Sequence, residues 1–292
     1  TQCNITASTG AGISFRLFAK GSFVDNTVTL TRGSVGIDVD EGSNPVCDSN
    51  VISSGANVGI RVHDQGLGRF CSNEVVDHHH GAAVEVDGAS SVQFVKNVVK
   101  NNKLGLLVVN GGGGVFEQNT FSTNQQHGVL ILDTSDPTLT GSTVYGNGGV
   151  GIQVSGNASI KDNDVSSNEG VGIVLSACCT AESHGGQGDG QGPEIHNNRV
   201  YNNVAGGMFC MPGAGGNASG NKISKHVGPG VEASGAGQTQ FSENTIQDGQ
   251  SVGVLCGHHC SGFVFNENYI ANNRIGVEIV CFSNPLLVEN KV

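Results

Sequence analysis

Residues 128–144 have the sequence GVLILDTSDPTLTGSTV, and this stretch contains each element of a motif that recurs along the chain. It opens with Gly128 and an apolar-x-apolar triplet, has an apolar residue at Leu139, and ends with Ser142 two positions before Val144. The same order recurs at intervals of 21 to 24 residues, apart from one interval of 35. A fixed period of this length is typical of solenoid proteins.

The most regular position in the repeat is an asparagine that precedes an apolar residue by two positions. Asn tolerates tight-turn conformations, and stacked Asn amides can hydrogen-bond to one another. We therefore expect a structural ladder here. The position is occupied in order by Asn26, Asn50, Asn73, Asn97, Asn119, Ser142, Asn163, Asn198, Asn221, Asn244, Asn268 and Asn290, and a second row five residues later contains Asn102, Asn124, Asn147, Asn168, Asn203 and Asn273.

The apolar residues between these turns alternate with other residues over only a few positions. A period of two over so short a segment indicates a β-strand with one buried face, because helices need longer segments. Each repeat is therefore predicted to form one coil of short strands and turns. The sequence predicts an all-β fold, a single-stranded right-handed parallel β-helix of about 12 coils with about 23 residues in each.

The domain organisation follows from the continuity of this pattern. We predict a single β-helix domain over residues 1–292, and because the chain begins and ends within the pattern we expect it to be part of a larger protein. The interval of 35 residues predicts an insertion loop within residues 176–193, since the pattern resumes at Glu194 and Ile195.

The charge of the chain narrows the classes of partner. The net charge is −11, from 14 Lys and Arg against 25 Asp and Glu. Nucleic acids and anionic membranes require clustered basic residues, and no apolar run approaches the ~20 residues of a membrane-spanning helix. We predict neither nucleic acid nor membrane as a partner, and the sequence leaves the oligomeric state open.

The cysteines bear on the cellular compartment. There are nine, an odd number, and Cys47, Cys210 and Cys256 occupy inward-facing positions of the repeat. Thiols kept in a core favour a reducing compartment. We therefore predict an intracellular protein, cytoplasmic or nuclear, with secretion as the alternative.

Two segments could suggest a metal site. Residues 256–260 place two cysteines around two histidines, but no fourth ligand is apparent. The three histidines from His78 to His80 follow a strand and are predicted to lie in a solvated turn. The sequence therefore predicts no metal site and no cofactor.

The middle residue of each apolar-x-apolar triplet should face outward, and in the first coils it is charged. In a polysaccharide lyase, carboxylates there could hold Ca²⁺ or act as acid and base, and an arginine could neutralise a uronate. The alternative is a solvated ladder of salt bridges, and the sequence favours it. The Asp-Pro-His and Gly-His-Gly patterns of β-helix epimerases and polygalacturonases are absent. The candidate residues are Asp38, Arg61, His63, Asp64 and Glu85.

In the middle coils the same outward position is apolar. A contiguous exposed apolar patch marks a contact surface, so we predict a partner-binding stripe, with cover by another part of the protein as the alternative. The stripe comprises Leu107, Leu130, Gln153, Val174 and Phe209.

The repeat resembles the carbohydrate-binding and sugar-hydrolase (CASH) repeats, and in particular the β-helix of F-box proteins that carry them. The segments GIRVHDQGLGRFCSNEV (59–75), GLLVVNGGGGVFEQNTF (105–121) and residues 128–144 carry the resemblance, which extends over the whole chain. The F-box resemblance implies capture of substrates for a ubiquitin ligase, and it supplies no catalytic residue.

These observations lead to two functional hypotheses. The first is a non-catalytic protein-recognition or scaffold domain that binds a protein partner through the apolar stripe. The second is a carbohydrate-active protein, either a polysaccharide lyase or glycoside hydrolase or a glycan binder, that uses the acidic N-terminal coils. A purely structural spacer is a third possibility.

Overall fold

The computed structural model describes residues 2–7, 9–30, 35–55, 57–132, 134–177 and 192–292. These residues contain 35 β-strands, and no helix is present among them. Within the described residues, no helix of sufficient length and hydropathy to cross a membrane is found.

The strands lie on three faces that repeat in every coil. The first face contains β2 (Ile13–Phe15), β5 (Ile37–Val39), β8 (Ile60–Val62), β11 (Ala82–Val86), β14 (Leu104–Val108), β17 (Val129–Ile131), β20 (Ile152–Val154), β23 (Val171–Leu175), β26 (Gly206–Cys210), β29 (Val231–Ala236), the beginning of β32 (Val252–Asn266) and β34 (Ile275–Ile279).

The second face contains β3 (Ser22–Val24), β6 (Val46–Asp48), β9 (Leu67–Cys71), β12 (Ser91–Val95), β15 (Gly113–Glu117), β18 (Thr138–Thr140), β21 (Ser159–Lys161), β24 (Glu194–His196), β27 (Asn217–Ser219), β30 (Gln240–Ser242), the end of β32 and β35 (Asn284–Val288).

The third face contains β1 (Asn4–Ala7), β4 (Thr27–Leu30), β7 (Val51–Ser53), β10 (Glu74–Val76), β13 (Val98–Lys100), β16 (Thr120–Ser122), β19 (Thr143–Tyr145), β22 (Asp164–Ser166), β25 (Arg199–Tyr201), β28 (Lys222–Ser224), β31 (Thr245–Gln247) and β33 (Tyr269–Ala271).

Each strand pairs in parallel with its equivalent in the next coil. The third-face strands form a 12-stranded sheet, and the other two faces are joined through β32 into a 23-stranded sheet. Twelve third-face strands correspond to about 11 complete turns of the chain, close to the predicted number of coils. The predicted all-β parallel β-helix is confirmed.

The core is a stack of equivalent side chains. The rings of Phe70 and Phe94 lie 6.2 Å apart and those of Phe94 and Phe116 lie 5.9 Å apart, while Phe241 and Phe265 stack at 4.9 Å. All five are buried, and such aromatic contacts add to the stabilisation from burial alone. The period of 23 residues therefore encodes vertical contacts between coils.

The asparagine row forms the predicted ladder. Asn73 receives a hydrogen bond from the side-chain nitrogen of Asn50 at 2.9 Å and donates one to Asn97 at 2.9 Å. Its second amide proton reaches the backbone oxygen of Cys47. The second row is similarly bonded, for example from Asn124 to Asn147 at 2.9 Å. These buried amides hold successive coils in register.

Histidines occupy both ends of the uninterrupted part of the second row. The backbone nitrogen of His78 donates to Asn102, and the backbone nitrogen of Asn203 donates to Nδ1 of His226. Both imidazoles are buried. His78 therefore does not lie in a solvated turn, because the turn folds inward into the ladder.

The insertion predicted within residues 176–193 falls mainly on residues 178–191, which lie outside the described residues. Strand β23 ends at Leu175 and β24 begins at Glu194, as the resumption of the pattern indicated. The extent of the domain remains a prediction.

The three inward-facing cysteines are buried free thiols. This holds for Cys47, Cys210 and Cys256. Burial raises the pKa of Cys47 and of Cys210 to about 12. These thiols are packing residues rather than nucleophiles.

Candidate functional site

The charged residues of the first coils lie in two neighbouring outward columns on the first face. Backbone pairing aligns Ser14 with Asp38, Asp38 with Arg61 and Arg61 with Glu85. Residues two positions further on point to the same side, because side chains alternate along a strand. The two columns, which we name the charged grid, contain Ser14, Asp38, Arg61 and Glu85, and Arg16, Asp40, His63 and Asp87.

The second column continues the backbone pairing just beyond the strands. The amide of Asp40 donates to Phe15, that of His63 donates to Val39, and that of Asp87 donates to Val62. The polar side chains of this column are therefore held at the same spacing as the strands themselves.

Asp38 is the centre of the charged grid. It is 3% exposed, and it accepts a hydrogen bond from Nε of Arg61 at 2.9 Å. Nη2 of Arg16 lies 3.5 Å from its other carboxylate oxygen. Burial alone would raise the pKa of Asp38, but the hydrogen bond and charge of Arg61, together with His63, outweigh burial and hold the pKa below its usual value. Asp38 is therefore a carboxylate.

Arg16 connects the two columns. Its Nε donates to Oγ of Ser14 at 3.0 Å and lies 3.2 Å from Oδ2 of Asp40. Asp40 is 6% exposed, and its Oδ1 has no hydrogen-bond partner in the structure. Most buried carboxylate oxygens in proteins have a hydrogen-bond partner, so this one is an exception, and Arg16 compensates it by charge through Oδ2.

Both ring nitrogens of His63 face carboxylates. Nδ1 lies 2.8 Å from Oδ2 of the exposed Asp64, and Nε2 lies 3.3 Å from Oδ1 of Asp38. The second contact is close but lacks hydrogen-bond geometry, since Nε2 is buried without a hydrogen-bond partner. The contact therefore places the ring beside the Asp38 carboxylate without a hydrogen bond.

Among the described residues Glu85 has neither an ion pair nor a side-chain hydrogen bond, whereas Asp87, which also lacks an ion pair, accepts a hydrogen bond from Asn110. It is half-buried in the coil next to Arg61. Burial raises the pKa of Glu85, and the charge of Arg61 opposes this shift. A partly desolvated carboxylate with a raised pKa is suited to proton transfer.

An open groove gives access to the grid. Its volume is ≈ 720 Å³, and Ser14, Arg16, Asp38 and Arg61 line it together with turn residues from the first coils. This volume falls within the range of about 300–1,000 Å³ that is usual for ligand sites.

Three side chains of the grid also have the geometry of a metal-binding cluster. Ligand atoms of Asp38, Asp40 and His63 lie within 4.8 Å of one another. However, Arg16 and Arg61 already supply positive charge to the two aspartates. The donors therefore fit a guanidinium-compensated cluster better than a cation site, and the absence of a metal remains a prediction.

The apolar stripe is less exposed than the sequence indicated. Its residues follow one another in register from Leu107 to Phe209. Val174 is only 5% exposed, and the other four are half-buried. The stripe therefore lies on the predicted face, but its side chains are largely withdrawn from solvent.

Sequence analysis identified five residues around the site and missed Arg16. Arg61, His63 and Asp64 lie with Asp38 as expected, and Glu85 occupies the adjacent coil. Arg16 could have been found by reading the position two residues after each outward residue.

Several solved structures that resemble this fold are epimerases. The A-module of the mannuronan C-5 epimerase AlgE6 from Azotobacter vinelandii is 15% identical with a TM-score of 0.67, and the match covers 99% of this chain and 90% of that one. A single-substitution mutant of the periplasmic alginate epimerase AlgG is 12% identical with a TM-score of 0.64, covering 93% and 71%.

A third similar structure is the A-module of the mannuronan C-5 epimerase AlgE4, also from Azotobacter vinelandii. It is 12% identical with a TM-score of 0.53, and the match covers 99% of this chain and 88% of that one. At such identities the likeness shows a shared fold. A search of curated proteins finds no match.

These similarities correct the first functional hypothesis. We predicted a non-catalytic protein-recognition or scaffold domain, most like the β-helix of F-box proteins, but the similar structures described above are mannuronan and alginate epimerases. The partly buried stripe also offers less contact surface than that hypothesis required. The protein-recognition prediction is therefore wrong, and the carbohydrate-active alternative remains a proposal. The resemblance to CASH repeats remains a prediction.

The family follows from a comparison with family models. The model described as the right handed beta helix region matches residues 1–99, 82–246 and 179–292, which together cover the chain. The chain therefore belongs to the family of right-handed β-helix proteins.

Proposed function

We propose that the chain is a carbohydrate-active protein that binds a uronate-containing polysaccharide on the charged grid. The observation that carries the proposal is the convergence of Arg16 and Arg61 on the buried carboxylate of Asp38 within an open groove of ≈ 720 Å³. Guanidinium groups provide several N–H donors in a fixed geometry, so those not used by Asp38 can bind sugar carboxylate and hydroxyl oxygens.

The charge of the grid must be reconciled with an acidic ligand. Asp38 and Asp40 are buried, and their charges are compensated by Arg16 and Arg61. The side chain of Arg16 is 61% exposed, and that of Arg61 is 36% exposed. The accessible part of the groove therefore presents guanidinium N–H groups rather than the buried aspartate oxygens. The fold shared with alginate epimerases supports a polyuronate as the ligand.

A second candidate function is proton transfer on that ligand, and Glu85 favours it. Its half-buried carboxylate lies in the coil beside Arg61, and its pKa is raised by burial. If Arg61 binds the uronate carboxylate, Glu85 could accept the proton from the neighbouring carbon while the electron pair moves toward the carboxylate. Return of a proton from water to the opposite face of that carbon gives epimerisation. Cleavage of the bond to the glycosidic oxygen, which leaves with a proton from Glu85 or water as the carbon–carbon double bond forms, gives elimination.

Binding to polymannuronate, polygalacturonate and a neutral glucan, measured by calorimetry at low salt, tests the proposal. We expect binding to a polyuronate, and we expect the double substitution Arg16→Gln, Arg61→Gln to weaken it by roughly tenfold or more. The control is Arg69→Gln with Lys96→Gln, which removes the same charge at positions outside the groove. It should change the affinity for the polyuronate little. The proposal would be contradicted if the variant Arg16→Gln, Arg61→Gln, named the grid variant, bound the polyuronate as tightly as the wild-type protein. Binding of the glucan and of neither polyuronate would also contradict it.

Proton transfer is tested on the same polymers. Elimination creates a double bond that absorbs ultraviolet light, and epimerisation changes the proton NMR spectrum of the polymer. Glu85→Gln should abolish either signal. Glu232→Gln is the matched control, because Glu232 is also a half-buried outward carboxylate whose pKa is raised by burial. Equal activity of both variants would exclude Glu85 as the proton-transfer group.

A further inference from the structure

A second concave surface lies on the third face of the later coils, away from the charged grid. Its volume is ≈ 300 Å³. It lies over β25, β28 and β31, three consecutive strands of the 12-stranded sheet. We name it the basic groove and define it by Arg199, Tyr201, Lys222, Ser224, Lys225 and Gln247.

The charge of this groove is opposite to that of the chain as a whole. The chain has only 14 basic residues against 25 acidic ones, yet three basic residues line the groove and no carboxylate does so. Nη1 of Arg199 pairs with Asp164 at 3.1 Å. Lys222 and Lys225 are exposed, and neither has an ion pair with any residue that the structure describes. Two positive charges are thus left for a ligand.

The register of the strands places polar groups beside these charges. Arg199 is paired with Lys222, and Tyr201 is paired with Ser224, which is paired with Gln247. The guanidinium carbon of Arg199 lies 5.4 Å from the centre of the Tyr201 ring, which holds the guanidinium over the aromatic face. The groove thus combines cations with hydroxyl and amide groups in adjacent columns.

We propose that the basic groove is a second binding site for an acidic polysaccharide, and that it holds one of the carboxylate or sulfate groups of the ligand between Lys222 and Lys225. Ser224 can exchange hydrogen bonds with sugar hydroxyls, and Gln247, whose Nε2 donates to Asp248 at 2.8 Å, can accept one through its Oε1. Adjacent coils are about 4.8 Å apart, close to the length that one sugar residue adds to an extended chain. A polysaccharide lying along the rod can therefore meet successive coils with successive residues.

This inference rests on the proposed function for the class of ligand, but it concerns a separate face of the molecule. A polymer bound on the charged grid occupies the first face, whereas the basic groove occupies the third. The two sites can therefore be altered independently, and the failure of one leaves the other measurable.

The aromatic composition supplies a local reporter for the experiment. The chain has no Trp and three Tyr, one of which lines the groove. Titration with a short oligouronate and with a sulfated oligosaccharide should change the tyrosine emission. Tyr201→Phe should abolish the emission change while calorimetry still detects binding. This pair of measurements assigns the bound ligand to the groove.

The charge contribution is tested with paired substitutions. Lys222→Gln with Lys225→Gln should raise the Kd about tenfold or more, and added salt should weaken binding by the wild-type protein. Lys96→Gln with Lys161→Gln is the control, because both lysines are exposed outside the groove. It changes the net charge equally and should leave the Kd within about twofold. The grid variant Arg16→Gln, Arg61→Gln should retain the Tyr201 signal.

Three results would overturn the proposal that the basic groove binds an acidic polysaccharide. They are the absence of any tyrosine response in the wild-type protein, equal weakening by the groove and control pairs, and tighter binding of an oligonucleotide than of either oligosaccharide of equal charge. If Arg16→Gln, Arg61→Gln weakens binding of the polymer and Lys222→Gln, Lys225→Gln does not, the proposed function stands and the basic groove is not a binding site. If the Tyr201 emission responds and Arg16→Gln, Arg61→Gln binds as tightly as the wild-type protein, the basic groove is a binding site and the proposed function of the charged grid fails.

Discussion

The Nε atom of Arg61 lies 2.9 Å from Oδ1 of Asp38, and it compensates a carboxylate that is only 3% exposed. Removing one partner of such a pair leaves a charge in a poorly solvated position, which costs more than the pair itself contributes. Arg61 is partly exposed and Arg16 also reaches Asp38, so the cost is reduced. The pair therefore serves both to position the guanidinium in the groove and to stabilise the first coils.

The first prediction concerns that pair. Arg61→Gln should lower the free energy of unfolding by about 1–3 kcal/mol, measured by urea denaturation. Lys100→Gln provides the control. It breaks the 2.7 Å pair with Glu74, but both side chains are more than a third exposed, so the loss should stay below about 1 kcal/mol. Equal losses in the two variants would show that Asp38 is better solvated than its burial indicates.

The second prediction concerns the gap in the asparagine ladder. The backbone N–H of Asn119 donates to Oγ of Ser142, and that hydroxyl donates to the backbone oxygen of Thr140 in its own coil. The equivalent asparagines donate instead to the second-face strand of the preceding coil, which the shorter serine does not reach. Asn119 itself donates in this way to Phe94, and Asn163 donates to Leu139. Ser142→Asn should therefore stabilise the fold by about 0.5–1.5 kcal/mol for the added hydrogen bond.

Thermal unfolding of Ser142→Asn and Ser142→Ala checks this. The alanine variant should unfold at a lower temperature than the wild type, because it leaves the buried backbone N–H of Asn119 without an acceptor. A destabilised Ser142→Asn would mean that the coil at Ser142 has no room for the larger side chain.

The ladder also shows what the sequence can predict about this fold. The asparagines around Ser142 recur at nearly the spacing of one coil, and backbone geometry converts that spacing into vertical contact. The same rule correctly aligned Asp38, Arg61 and Glu85 on one face. Vertical neighbours are therefore predictable from the repeat alone.

Contacts that cross between columns were not predictable in the same way. The contact of Arg16 with Asp38 and Asp40 depends on how a long side chain turns from one column to the next. The depth of each outward residue also depends on the packing around it, and Val174 is nearly buried although its position in the triplet faces outward. The repeat fixes which face a residue occupies but not how far solvent reaches it.

The third prediction tests the depth of the stripe. Val174→Thr introduces a hydroxyl of similar shape at a position that is 5% exposed, and should cost about 1–2 kcal/mol of unfolding free energy. Val204→Thr makes the same change at a side chain that is 51% exposed, and should cost less than about 0.5 kcal/mol. Chemical denaturation measures both. Equal and small costs would show that solvent reaches the stripe at Val174.

The fourth prediction concerns acid stability. Burial lowers the pKa of His78 and of His226 to about 4, from an ordinary value of 6.5. Between these two values the unfolded chain binds a proton at each histidine that the folded chain does not bind. The free energy of unfolding therefore falls as the pH falls from 6.5 to 4, by up to about 3 kcal/mol for each histidine. Above pH 6.5 both states hold neutral imidazoles, and this contribution to stability is fully present.

Substitution identifies the source of that acid sensitivity. His78→Asn continues the ladder from Asn102 with a side chain that does not titrate. It should reduce the loss of stability between pH 6.5 and 4 by about half, since His226 remains. His80→Asn is the control, because it makes the same substitution at a neighbouring histidine that is exposed and lies outside the ladder. Urea denaturation at pH 7, 5.5 and 4 measures the three proteins. A wild-type stability that is constant over this range would show that the two imidazoles are protonated within the fold. This would require an acceptor or water beside the His78 ring, whereas Nε2 of His226 already lies 3.1 Å from the backbone oxygen of Val200.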